Sequence, residues 1–214
     1  MKLYYAPGAC SLSPHIVARE AGVVLDLERV DLGKNPHRTE TGADFMQINR
    51  KGYVPALRLD DGQLLTEGAA IVQYLADLAP ESGLVPAAGT LERYRLQEWL
   101  SFIGTELHKM FSPWLFHPEH GDQAARAARA KIAERFAFLD AHLAERPYLL
   151  GRSFTAADTY AFTIVGWARP MGIDLAPFAH LRRYMDRIAA RPKVREALRS
   201  EGRLPVGSSA RPGN

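Results

Sequence analysis

Apolar and polar positions alternate over short stretches in the first third of the chain and recur at helical spacing through the rest. Lys2-Leu3-Tyr4-Tyr5 is a short β-favouring run closed by Pro7-Gly8. Ser11 and Ser13 suit a helix start, Pro14 is tolerated in a first turn, and Ile16, Val17 and Ala21 lead to Gly22, which suits a C-terminal cap. Asp26 to Val30 reads as a second strand, with Leu25, Leu27 and Val30 as its apolar positions. The polar stretch Gly33 to Gly42 predicts a loop, followed by a short helix around Ala43 to Ile48. Ala56–Leu59 and Gln63–Thr66 flank Asp61-Gly62, a strong two-residue hairpin signal. From Glu67 to Leu78 the apolar residues Ala70, Ile71, Tyr74, Leu75 and Leu78 return to helical spacing. The predicted order is β-α-β-α-β-β-α.

Pro80 to Thr90 is rich in Pro, Gly, Ser and Ala and predicts a linker, after which the pattern is helical throughout. One long helix is expected over Leu91–Phe111 and another over Gln123–Leu143, the latter striped by Ile132, Phe136, Leu139 and Leu143. Thr155-Ala156-Ala157-Asp158 is a capping-box-like start to an apolar helix through Phe162, Ile164, Val165 and Trp167. Shorter helices are expected over Leu181–Arg191 and Val194–Leu198. The predicted organisation is an α/β domain over 1–79, a linker over 80–90, an all-helical domain over 91–202 and a disordered tail over 203–214.

Composition narrows the classes available. At 214 residues, 47% hydrophobic and 24% charged, the chain has the make-up of a globular protein with a sizeable core. Its net charge of +3 is spread out, and the basic run Arg126, Arg129, Lys131, Arg135 is interrupted by Glu134, so no nucleic-acid face is expected. No apolar run approaches the roughly 18 residues of a membrane span, and no signal-peptide pattern opens the chain. Cys10 is the only cysteine, so no intramolecular disulfide can form, which agrees with a reducing, cytoplasmic setting.

Chemistry is concentrated at a few positions. Cys10 lies between the first strand and the first helix, where unpaired N–H groups and the helix dipole favour a thiolate; a buried packing cysteine is the alternative. Pro55 in Tyr53-Val54-Pro55-Ala56-Leu57 begins a strand and removes only one ladder donor. Glu67-Gly68 opens a helix whose N–H groups suit an anion, although a first-turn carboxylate is also explained by the dipole alone. On the long helix, Ser101, Thr105, His108 and Ser112 form a polar stripe apart from the apolar side, with Lys109 beside it. His108 is the histidine expected to do acid–base work in the range of about pH 5 to 8. His15, four or five residues past Cys10, offers at most a weak Cys–His pair, and the histidines show no metal-ligand spacing.

These motifs, in this order, resemble the beta class of bacterial glutathione S-transferases. The likeness is carried by Met1–Tyr5 through Gly8-Ala9-Cys10-Ser11-Leu12-Ser13, by Gly52-Tyr53-Val54-Pro55-Ala56-Leu57, by Leu65-Thr66-Glu67-Gly68 through Asp77, by Thr105-Glu106-Leu107-His108-Lys109 and by Phe154-Thr155-Ala156-Ala157-Asp158. It implies a thioredoxin-like domain followed by a helical bundle, in a homodimer that binds glutathione as co-substrate and needs no metal. The resemblance places Cys10 near the glutathione sulfur, able to form a mixed disulfide. Val54 would pair with the cysteinyl unit ahead of a cis-Pro55, and Glu67 and Gly68 would hold the γ-glutamyl end. His108 and Thr105 would lie near the thiol. Ser101 stands where relatives often carry an Asn that reaches the partner's glutathione. The Lys34–Arg38 loop is longer than in relatives, so Asn35, His37, Lys34 and Arg38 all compete for the glycine carboxylate. The expected reaction joins glutathione to a small apolar electrophile held near Tyr5, Pro113, Trp114 and Trp167. A glutathione-dependent reductase or dehalogenase and a non-catalytic binding protein are the alternatives.

Overall fold

The computed structural model describes residues 1–204. Its sheet has five strands, β1 (Lys2–Tyr5), β2 (Asp26–Asp31), β3 (Arg38–Thr39), β4 (Ala56–Arg58) and β5 (Leu64–Thr66), in the order β3-β2-β1-β4-β5. β1 is parallel to β2 through a crossover helix α1 (Leu12–Ala21), which Gly22 ends in the left-handed region at φ 71°. On its other side β1 runs antiparallel to β4, which forms a hairpin with β5 around Asp61-Gly62. Leu3, Ile16, Val17, Leu57, Ile71 and Leu75 are fully buried where the sheet meets α1 and α3 (Gly68–Asp77).

The expected loop over Gly33–Gly42 contains an additional edge strand, β3 (Arg38–Thr39), antiparallel to β2. Side-chain chemistry rather than hydrophobic pattern holds it. Glu28 is buried on β2 and accepts from Lys2 Nζ at 2.6 Å and Thr41 Oγ1 at 2.5 Å, so the polar loop satisfies a carboxylate that would otherwise be costly to bury. A two-residue strand is too short to show a period. The short helix is α2 (Phe45–Ile48), with Asp44 accepting from Met46 N and Phe45 wholly buried.

Beyond a short 3₁₀ turn at Pro80–Ser82, α4 (Leu91–Phe102) starts at Thr90, whose hydroxyl accepts from Arg93 N. The predicted single helix is continuous but not regular: a π-helical turn over Ile103–His108 separates α4 from α5 (Lys109–Phe111). α6 (Asp122–His142), α7 (Ala156–Val165), α8 (Ala179–Ala189) and α9 (Pro192–Ser200) follow. Every residue of α7 is buried, and its capping box is formed. Asp158 accepts from Leu149 N, Thr155 N, Thr155 Oγ1 and Tyr184 Oη.

One apolar cluster runs from β1 and α1 through α3 into α7, and the buried hydroxyls Ser13 Oγ and Thr159 Oγ1 share a 2.8 Å hydrogen bond across it. Glu201 adds a second tie, accepting from Gly8 N at 2.8 Å and pairing with His15 Nδ1 at 2.9 Å. The tail expected over 203–214 begins as ordered backbone, with Arg203 N donating to Leu198 O. Positions 205–214 of that expected tail lie outside the described residues. Among the described residues no helix is long and apolar enough to cross a membrane.

Candidate active site

A cavity of about 900 Å³ opens where the β1–α1 loop, the start of β4, the β5–α3 turn and the α4–α5 stretch converge. Cys10, Val54, Pro55, Glu67, Gly68, Ser101, Thr105 and His108 all line it. These positions lie on four separate elements, and the fold brings every one of them together.

Cys10 sits two residues before α1, with its thiol donating to Val54 O at 3.1 Å. Burial pushes that thiol up to about 12, against the opposing pull of the Cys10 and Ser11 backbone N–H groups and the Lys109 charge. The thiolate expected from the helix terminus is therefore not the resting form. Removing sulfur from water costs its charged form more than two N–H groups and one ammonium return. Ser11, a good capping type, spends its hydroxyl on Ala6 N and Ala6 O instead.

The Val54–Pro55 bond is cis, and among the described residues the Val54 N–H on the cavity wall makes no hydrogen bond. Glu67 precedes α3 with φ 70°, and its side chain makes no capping hydrogen bond to the helix. Its carboxylate instead accepts from Lys51 Nζ at 2.6 Å, and the same ammonium donates to Thr66 Oγ1 at 3.0 Å. Both partners are largely exposed, so the pair is worth about 0–1 kcal/mol and yields to a better-placed ammonium.

Thr105 Oγ1 donates to Ser101 O at 2.9 Å within the helix, while Ser101 itself is exposed at the cavity edge. His108 differs from expectation in two ways. It is half-buried rather than solvent-facing, its Nδ1 sharing a 2.7 Å hydrogen bond with Tyr160 Oη and its ring meeting Trp167 edge-on at 5.0 Å. Burial, aided by Lys109, also takes its pKa down to about 4, so the imidazole is neutral across the range where titration was expected.

Pro113, Phe116, Trp167 and Pro170 supply the apolar wall, with Trp167 Nε1 donating to Gly8 O at 2.8 Å. Tyr5 and Trp114, expected here, face elsewhere: Tyr5 packs against His15 and Trp114 against His120. His15 engages Glu201 and Arg19, so no Cys10–His15 pair forms. None of Lys34, Asn35, His37 and Arg38 reaches the cavity; among the described residues its Lys and Arg side chains are Lys51, Lys109 and Arg203. Lys51, Tyr160 and Arg203 escaped the sequence reading. Tyr160 lies in an apolar helix, Lys51 in a loop and Arg203 in a stretch without pattern.

This arrangement, a βαβ unit and a ββα unit sharing one sheet and backed by an α7-centred bundle, defines a thioredoxin-like domain joined to an all-helical one. The family model for the glutathione S-transferase N-terminal domain matches residues 8–78, and that for the C-terminal domain matches residues 105–192. Glutathione S-transferase GstA of Escherichia coli O157:H7 is 45% identical over 202 residues, covering 94% of this chain and 99% of that protein. Among solved structures, a beta-class glutathione S-transferase of Sphingomonas chungbukensis superposes with a TM-score of 0.91 at 46% identity, covering 95% of this chain and all 100% of that one. A sphingomonad glutathione S-transferase complexed with glutathione gives a TM-score of 0.90 at 48% identity, covering 94% and 99%. The chain belongs to the glutathione S-transferase family, on the bacterial beta-class side, and is an enzyme of that kind.

Proposed function

We propose that this chain binds glutathione along the polar side of the cavity and joins its thiol to small apolar electrophiles held against Pro113, Phe116 and Trp167. The observation that carries this reading is the continuity of the cavity, with a carboxylate, free backbone donors and an apolar aromatic wall around one half-buried cysteine. Glu67 would take the α-ammonium of the γ-glutamyl unit in place of Lys51, and Gly68 N–H at the head of α3 its carboxylate. Val54 would pair with the cysteinyl backbone, and Ser101 and Thr105 would offer hydroxyls from the helical side. The glutathione sulfur would lie beside Cys10 and His108. There the Lys109 charge and neutral donors, including His108 oriented by Tyr160, favour its thiolate. Its proton leaves to solvent, a carbon–sulfur bond forms, and the leaving group departs with the electron pair.

A reductase would need Cys10 itself as thiolate, and its high pKa favours conjugation over that reading. The mixed disulfide with Cys10 stands as a slow side reaction. A homodimer in the cytoplasm is the assembly expected of the family. Calorimetry on Glu67→Ala tests the binding mode. A hydrogen-bonded charge pair typically contributes about 1.5–3 kcal/mol, so glutathione should bind roughly 10-fold or more weakly. An unchanged affinity with a retained fold would remove Glu67 from the site.

A further inference from the structure

We infer that Arg203 makes this enzyme selective for apolar electrophiles that carry a carboxylate. This rests on the conjugation reading above and names the substrate class for its apolar side. Arg203 follows α9 and lines the same cavity as Cys10 and Trp167. Its placement is built rather than incidental. Arg203 N donates to Leu198 O at 2.8 Å, and two residues earlier the buried Glu201 grips Gly8 N. Trp167 Nε1 donates to Gly8 O of the same loop. The guanidinium lies so close to Gly8 that a Cβ there would stand 3.0 Å from its Cζ and Nε. The glycine, already at φ 73°, thus makes room for the charge.

Among the described residues the Arg203 guanidinium has no acceptor, and its side is solvent-accessible. The sole carboxylate among the described lining residues is Glu67, which Lys51 holds at the β5–α3 turn. The Gly8 end of the cavity therefore presents a planar fork that makes no ion pair among the described residues, Glu201 being spent on Gly8 N and His15, and the same cavity carries the apolar aromatic wall. A flat electrophile with a carboxylate at its edge satisfies both, since the fork matches a carboxylate in bidentate geometry. A neutral electrophile uses the wall alone.

The test compares a chloronitrobenzoate with the matching chloronitrobenzamide, each rate divided by its uncatalysed rate with glutathione. Loss of one exposed charge contact is worth up to about 1 kcal/mol, so Arg203→Gln should lower the benzoate-to-benzamide ratio of kcat/KM about fivefold. Arg203→Lys should keep part of the preference, and high ionic strength should narrow it in the wild type. A parallel measurement takes the two glutathione conjugates as ligands and reads their affinities by calorimetry, independent of turnover. An unchanged ratio and unchanged relative affinities in Arg203→Gln overturn the inference. So does a weakened affinity for glutathione itself, which would assign Arg203 to a glutathione carboxylate. If the wild type turns over neither haloarene, the conjugation reading fails, and the affinities of the two conjugates still decide the role of Arg203.

Discussion

Cys10 should be an unreactive cysteine, and the structure sets how unreactive. A rise in its pKa from 9.0 to about 12 leaves roughly a thousandth of the thiolate of an unperturbed cysteine at neutral pH. The less acidic thiol makes the more nucleophilic thiolate. With a Brønsted slope of about 0.4–0.5, this returns a factor of roughly 20. The net expectation is alkylation about 50-fold slower than that of a free thiol, before any steric shielding by Val54. The assay is intact-mass detection of a single iodoacetamide adduct over a pH series, with glutathione in solution as the reference thiol. The rate should still be climbing above pH about 10, without a plateau near neutrality. Glutathionylation by oxidised glutathione, in which Cys10 sulfur displaces one glutathione thiolate, should be slow for the same reason. Cys10→Ser should keep most conjugation activity, because the bound glutathione supplies the attacking sulfur. Labelling at pH about 7 as fast as the reference would refute the desolvation argument and restore the helix-terminus thiolate. The sign for stability follows. A folded-state pKa above the unfolded one gives a contribution complete below about 9 and lost as pH rises toward 12.

Three further outcomes are expected. His108→Gln should lower turnover, while the wild-type rate shows no inflection from this residue between pH about 5 and 8. Because its folded pKa of about 4 lies below the ordinary 6.5, His108 contributes stability above pH 6.5 that is lost as pH falls toward 4. That amounts to roughly 3 kcal/mol at most, and denaturant titrations of the variant should lack this slope. Lys51→Met should change glutathione affinity less than about threefold, since the Lys51–Glu67 pair is exposed; a tenfold change by calorimetry would give Lys51 a direct part in binding. Asp158→Ala should cost about 3 kcal/mol or more by stranding buried donors of Leu149, Thr155 and Tyr184. In a chain of this length that lowers Tm by roughly 6–12 °C, with kcat per folded molecule unchanged.

What the sequence made legible was local, and what it hid was tertiary. The hairpin at Asp61-Gly62, the Gly22 cap and the Thr155–Asp158 box each arise within a few residues, and the structure contains all three. The membership of the cavity was legible through family motifs, because each motif is short even though the residues meet across the fold. The edge strand at Arg38–Thr39 was not, since a buried Glu28 specifies it from another strand. Nor were the protonation states. Cys10 has a favourable helix terminus at hand, and local reasoning made it a thiolate. Its sulfur meets Val54 O, 44 residues away, and burial in the folded site outweighs the nearby N–H groups. His108 stands in a polar stripe, yet Tyr160, 52 residues on, and Trp167 close over it and drive its pKa down. Both errors have the same sign in energy: local reasoning credited the dipoles that favour charge and omitted the burial that opposes it. A sequence can therefore name the groups of such a site well before it can say which of them are ionised. The choice between conjugation and redox chemistry depends on that second property, which the packing around Cys10 and His108 controls.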